Sequence, residues 1–342
     1  MQNNEKKPAF PARKREILWF LVRLLTLVLV AWFVIQALRQ RQTDLLEIAQ
    51  HFRHSIQPES LVWLALTVAL IPLNWSLEAL KWRDLARKIQ PVRFREALEG
   101  VLAGLSFGFA TPANLGDYAG RLLNLRSDRR LENLGAALLG NGAQYFITLL
   151  GGTLGYAYFQ ATHAAPLHPG HRLLLGAMGL AIGFGLWVGF RREAAMNGLS
   201  GYRWLVPLSQ SLGVIGQYRA EELARLMGWA TLRYLVFCVQ FLLVLHVFGF
   251  RLPLADQLST VALVFFAKTV LPSFHFLSDL GIREFTALYF FSFFPVEPAA
   301  VVSATLTLWV LNILVPVLVG TVFLLRLKRE VTTPVEVPVA SQ

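Results

Sequence analysis

Charge is scarce in this chain. Only 15% of its 342 residues are Asp, Glu, Lys or Arg, while 55% are hydrophobic. Soluble domains carry about 25% charged residues, so the shortage excludes an ordinary water-soluble globule. Cysteine is scarcer still. The single Cys238 excludes an internal disulfide, and its apolar neighbours make it a small buried hydrophobe. No G-x-x-x-x-G-K-[ST] loop occurs, which excludes ATP hydrolysis by that route, and no H-E-x-x-H metalloprotease pattern is present.

What the chain has instead is long apolar runs, several of them near the roughly 20 residues that cross a bilayer. They are uniformly apolar rather than alternating, so a β-barrel with its period of two is excluded. The fold class expected is all-α and polytopic. The net charge of +11 comes from dispersed basic residues. That dispersal argues against nucleic acid and for loops beside membrane spans.

Residues 1–16 form a polar, basic tail. The apolar run 17–38 exits into Arg39, Gln40 and Arg41 with no small-residue cleavage pattern, so it reads as an uncleaved first span. A single transmembrane domain then covers 17–327, and 328–342 is a short polar tail. Full spans are expected at 17–38, 61–81, 134–159, 173–190, 226–248 and 299–325.

Two further apolar regions are too short to cross unaided. Residues 97–110 give 14 positions, about 21 Å of helix against a hydrocarbon core of about 30 Å. They meet Thr111-Pro112, then Gly116 and Asp117, and resume as 118–125. Residues 261–271 contain Lys268, meet Pro272, then Ser278, Asp279 and Gly281, and resume as 285–294. Each region is one kinked crossing or a re-entrant hairpin of two half-helices. The positive-inside rule favours hairpins. With a cytoplasmic N-terminus, inside loops then hold Arg13, Lys14, Arg15, Arg83, Arg87, Lys88, Arg93, Arg95, Arg126, Arg129, Arg130, Arg191, Arg192, Arg203, Lys328 and Arg329. Outside loops hold Arg39, Arg41, Arg53, Arg172 and Arg251. The expectation is six full spans plus two hairpins, about eight hydrophobic segments. Three spans separate the breaks, so the hairpins enter from opposite sides. Paired, interrupted segments of this kind point to a transporter's midplane site.

The breaks carry charge, which is expensive at membrane depth. Asp117 and Arg121 stand four apart, on one helix face. Asp279, Arg283 and Glu284 sit at the second break with Lys268 ahead of them, and Glu78 lies near the end of the second span beside Trp75 and Trp82. Half-helix N-termini suit anions, and arginine holds phosphate bidentately. The bland alternative is that these charges pair with one another and pin the hairpins together.

The motifs Pro112-Ala113-Asn114-Leu115-Gly116-Asp117…Arg121 and Pro272…Asp279-Leu280-Gly281-Ile282-Arg283-Glu284 resemble those of the lysylphosphatidylglycerol synthase transmembrane region, or flippase-like, family. The resemblance extends over nearly the whole chain in length, span count and motif order. The family usually has a basic residue where Asn114 stands, glutamate at Asp117, its arginine at Gly120, and glycine at Asp279. In its best-understood members this region translocates aminoacylated phosphatidylglycerol between leaflets, and a separate soluble domain makes that lipid. The chain is similar to the membrane half alone, so synthase activity is not implied.

The expected function is therefore translocation of an anionic lipid or related amphiphile in the cell inner membrane, with both termini cytoplasmic. Arg121, Arg283, Asn114, Gly116 and Gly281 are the substrate-binding candidates. Asp117, Asp279, Glu284, Lys268 and Glu78 are the charge-pairing or gating candidates. No cofactor, metal or nucleic acid is expected. Expected partners are membrane lipids, in particular anionic phospholipid, with a second copy of the chain or a separate lipid-modifying enzyme open as further ones. The competing classes are an integral-membrane enzyme of lipid metabolism, its carboxylates serving as acid and base, and a non-catalytic assembly partner. His163, His168 and His171 read as solvated loop histidines with no carboxylate among them. His246 reads as an interface residue and His275 as a candidate proton-linked ligand. Gly151, Gly155, Gly179, Gly183, Gly185 and Gly189 read as close helix packing, and residues 194–222 as an interfacial cytoplasmic segment.

Overall fold

The structure, a computed structural model, describes residues 57–111, 114–123, 130–163, 169–192, 212–271 and 276–326, together with residues 50, 53 and 194. The first expected span, both polar tails, the proline breakers Pro112 and Pro272, His168 and His275, and most of 194–222 lie outside these residues. So does the side chain of Asp279.

The described chain is helical, with no strand. In order the helices are α1 (Pro58–Ala86), α2 (Phe94–Phe109), α3 (Leu115–Leu123), α4 (Arg130–Thr162), α5 (Pro169–Phe190), α6 (Ala220–Val247), α7 (Leu254–Val270), α8 (Phe276–Phe291), α9 (Pro298–Trp309), a π-helical turn (Val310–Leu314) and α10 (Val315–Arg326). Their starts follow local chemistry. Prolines open α1 and α9, where a missing N–H costs nothing. At α6 the Glu222 carboxylate accepts from the Arg219 backbone N–H at 2.6 Å, satisfying a donor that precedes the helix.

Among the described residues, four segments, Pro58–Ala86, Pro169–Phe190, Ala220–Val247 and Pro298–Leu324, are long and apolar enough to cross a membrane. Helix α4 is longer, at 33 residues, and its polar Asn141 and Gln144 keep it out of that apolar class. The arrangement is an all-α, polytopic membrane protein. Apolar side chains on its outside, such as Leu180, Phe184, Trp187 and Phe190 of α5, suit a surface bathed in acyl chains rather than water. Helices α2, α3, α7 and α8 have 16, 9, 17 and 16 residues. At 1.5 Å per residue each falls short of a hydrocarbon core of about 30 Å.

Among the described residues, two larger apolar clusters and a smaller one around Phe109, Trp309 and Val317 hold the bundle. One joins Trp75, Trp82 and Leu85 of α1 to Val101 of α2, Ile147 of α4 and Leu226 of α6. The other joins Phe241 and Leu245 of α6 to Val261 of α7, Phe291 of α8 and Val301 and Leu308 of α9. Helix α1 lies along α6, and α2 is clasped between α3 and α10.

The first break turns the chain back on itself. Thr111 Oγ1 lies 3.1 Å from Phe107 O at the end of α2 and accepts the Gly116 N–H at 2.7 Å at the start of α3. Asn114 takes a positive φ of 55°, a left-handed conformation that asparagine tolerates better than most residues. Helix α3 then packs so tightly on α2 that a Cβ on Gly120 would lie 2.4 Å from the Gly104 Cα, and one on Gly116 would lie 2.2 Å from the Phe107 carbonyl oxygen. Only glycine permits that approach.

The glycine reading divides. Gly151, Gly155 and Gly185 do face close neighbours, Tyr234, Ala262 and Phe146 respectively. Gly179, Gly183 and Gly189 have nothing within 4 Å among the described residues, because α5 packs chiefly on α4 and turns most of its surface outward. Close packing is corrected for those three.

Candidate functional site

The spacing of Asp117 and Arg121 puts them on one face of α3, and there they pair, Arg121 Nε to Asp117 Oδ1 at 3.0 Å. Arg121 also reaches Glu78 of α1, its Nη1 2.9 Å from Oε1. Glu78 is the hub. Lys81, one helical turn on, lies 2.6 Å from Oε2, and Arg233 of α6 lies 3.1 Å from the same atom. Glu78 and Lys81 are 2% and 1% exposed. The cluster therefore sets three cations against two carboxylates in a nearly sealed place. A buried charge is tolerated only when paired and hydrogen-bonded, and the surplus here is positive.

Aromatic and amide side chains fix the arginines. Arg121 lies over the Trp82 ring at 5.7 Å, and Arg233 lies over Trp75 at 5.2 Å and Phe237 at 5.0 Å, which favours cations electrostatically. Arg233 Nε donates to Asn74 Oδ1 at 3.0 Å, Asn74 Nδ2 to Gln240 Oε1 at 3.2 Å, and Gln240 Nε2 to Thr67 O at 3.1 Å. This relay holds the guanidinium at one height along the α1–α6 seam.

The cluster opens onto a cavity of about 520 Å³. Its wall takes Trp75, Glu78 and Lys81 from α1, and Asp117 and Arg121 from α3. It takes Arg233 from α6, Lys268 from α7, Arg283 from α8 and Asn312 from the π-helical turn. Asn114 at the first break and Leu271 at the second also line it, so the two interrupted regions share one cavity. Five cationic side chains and two carboxylates face it.

Of the candidates drawn from sequence, Arg121, Arg283, Asn114, Asp117, Lys268 and Glu78 meet at this cavity. Gly116 does not line it; it serves the α2–α3 contact instead. Gly281 is exposed on α8 with open space about it. Glu284 is buried beside Arg283 but is not part of the wall. Lys81, Arg233, Trp75 and Asn312 were missed. Arg233 carried a signal, an arginine inside the apolar run 226–248, where an ionisable side chain marks a site by default.

Three other features belong to structure. His163 is not a solvated loop histidine: its Nε2 lies 2.6 Å from Asp256 Oδ1, and Tyr158 donates to the same oxygen at 3.1 Å. A carboxylate from a distant helix thus joins it, tying α4 to α7. His171 Nδ1 lies 2.5 Å from Tyr156 Oη. Gly104-Leu105-Ser106-Phe107-Gly108 has the spacing of a nucleophile elbow, but Ser106 sits inside continuous helix, buried, its hydroxyl donating to Val317 O at 2.6 Å. A nucleophile elbow needs a strained strand-to-helix turn. Among the described residues, no group of three or more His, Cys, Asp or Glu could hold a metal.

No curated protein and no solved structure matches the chain. Residues 19–320 match the profile of one family, and on that match the chain belongs to the lysylphosphatidylglycerol synthase TM region family.

Proposed function

We propose that this protein moves an anionic lipid or amphiphile between leaflets, the headgroup passing through the cavity while its acyl tails stay in the bilayer. The carrying observation is the cavity's charge: five cationic side chains against two carboxylates, drawn from both interrupted regions and from the long helices α1 and α6. A phosphate entering such a space offsets a positive surplus whose desolvation is otherwise costly. Arg283 and Lys268 act on the headgroup from one wall and Arg121 from the other. Asp117 gates by competing with the ligand for Arg121.

In this reading α2–α3 and α7–α8 are re-entrant hairpins entering from opposite faces, with both termini cytoplasmic in an inner membrane. The tight glycine contacts folding α3 back along α2 support that topology. The catalytic alternative is weaker. Both carboxylates on the wall are held by guanidinium groups, so neither is placed as a free acid or base.

The test is redistribution of a labelled anionic phospholipid in proteoliposomes, with the same lipid recovered unaltered. Arg283→Ala should cut the rate at least ~10-fold, the size of one lost charged hydrogen bond. Full activity in that variant removes the proposal, and a new covalent product transfers the site to the enzyme reading.

A further inference from the structure

The last turn of α4 touches both ends of the second interrupted region. His163, just past that helix, has its Nε2 2.6 Å from Oδ1 of Asp256, in the first turn of α7. The same imidazole packs edge-on against Phe294, just beyond the end of α8, with ring centroids 4.9 Å apart. Four residues before His163, Phe159 meets Phe290, Phe293 and Phe294 at 5.2, 5.0 and 6.4 Å. The chain leaves for the break and returns from it at one place, and α4 holds both arms there.

The arms are of nearly equal length. Lys268 follows Asp256 by 12 residues and Arg283 precedes Phe294 by 11, about 18 and 16 Å at 1.5 Å per residue. Clamping both arms at one place sets Lys268 and Arg283 at matching depth, and both line the cavity. A ligand that meets groups already fixed in place loses less freedom on binding, which raises its affinity.

Among the described residues, the titratable groups facing the imidazole are Asp256 and Tyr158, whose hydroxyl donates to the same Asp256 oxygen at 3.1 Å. From α8 and the turn after it come phenyl rings. Histidine is the side chain that changes charge between about pH 5 and 8. With its proton, the contact to Asp256 is an ion pair as well as a hydrogen bond, and the rings of Phe159 and Phe294, at 5.4 and 4.9 Å, attract the cation. Without the proton, the hydrogen bond alone is left.

Resting on the lipid-moving reading above, we infer that His163 is a positioning residue with a proton switch. It fixes the two cavity cations of the α7–α8 region, and acid on the side where α4 ends tightens its hold. The clamp is complete when the imidazole is charged and weakens as the pH rises and the proton leaves. His163 and Asp256 are 25% and 9% exposed, so water screens the pair in part and the effect is a small factor.

The experiment is equilibrium binding of a short-chain fluorescent phosphatidylglycerol to the full chain in detergent, at about pH 5.5 and about pH 8, the two sides of the imidazole range. The phosphodiester of this probe keeps one negative charge at both. Wild type should bind at least ~3-fold tighter at the acid pH, the scale of a partly exposed ion pair. His163→Arg keeps a permanent cation beside Asp256 and should bind with the acid affinity at both. His163→Gln keeps a hydrogen-bond donor without charge and should show the alkaline affinity at both. Asp256→Asn removes the partner instead, so it makes the same test should the His163 variants not fold, and it too should be insensitive to pH. Equal wild-type binding at both pH values overturns the inference and leaves the anionic-lipid reading standing. A pH dependence that survives in His163→Gln or Asp256→Asn, even with weaker binding overall, makes His163 merely structural and also overturns it. No binding by wild type at either pH overturns the lipid-moving reading and with it the inference that rests on it.

Discussion

Replacing Glu78 by glutamine tests the central electrostatic claim directly. Glutamine keeps the shape and removes the charge, leaving Lys81, Arg121 and Arg233 with Asp117 as their counter-ion on the cavity wall. The three contacts to Glu78, at 2.6, 2.9 and 3.1 Å, share one carboxylate, so their energies do not add. Removing one partner of a buried ion pair costs about 3–5 kcal/mol. That range applies because Glu78 is almost fully buried and the cluster already has a cation in excess. At a few degrees per kcal/mol, the thermal midpoint in detergent should fall by about 5–10 °C. The control is Lys81→Met in the same chain, which removes one of the stranded cations. The double variant carries the wild-type surplus again and should regain at least ~1.5 kcal/mol of the loss, a coupling within the range for residues in one network. A Glu78→Gln protein that melts within about 1 °C of wild type would refute the hub. So would a double variant no more stable than the single one.

The interrupted regions give two further tests. Gly120→Ala places a methyl 2.4 Å from the Gly104 Cα and should force α3 off α2. The cost should be at least the roughly 1–3 kcal/mol of an overpacked core, read as a lower melting temperature. Gly281→Ala, with open space around it, should change stability by less than about 0.5 kcal/mol. Equal effects at the two positions would contradict the α2–α3 packing. For the proposed topology, single cysteines at residues 93 and 124, flanking α2 and α3, should be labelled by an impermeant maleimide from the same side of the membrane. Cys238 is buried and should give little background. Labelling from opposite sides would make α2–α3 a crossing.

Patterns confined to one helix were legible in the sequence. The Asp117–Arg121 pair follows from a spacing of four, and the interruption near Gly116 follows from two glycines, a proline and a short apolar run. The second interruption shows equally in Lys268, Pro272 and Arg283. What local pattern could not give was partnership across helices. Nothing near Glu78 says that α3 and α6 each send it an arginine, because those positions lie 43 and 155 residues away. His163 misled for the same reason: its carboxylate, Asp256, comes from another helix. Asn312 was invisible because asparagine in an apolar run has no signature until its neighbours are known.

The sequence by itself determined the solvent. With so few charges and such long apolar runs, the backbone has to satisfy its own hydrogen bonds within helices inside a bilayer. It also determined where those helices break and that charge gathers at the breaks. Tertiary structure decided which charges meet. Packing α1 along α6, and folding α3 back over α2 through glycine contacts, brought Glu78, Lys81, Arg121 and Arg233 to one point. A surplus of positive charge at one place is a property of that convergence, because the Coulomb energy depends on distances between helices that no spacing along a single helix sets.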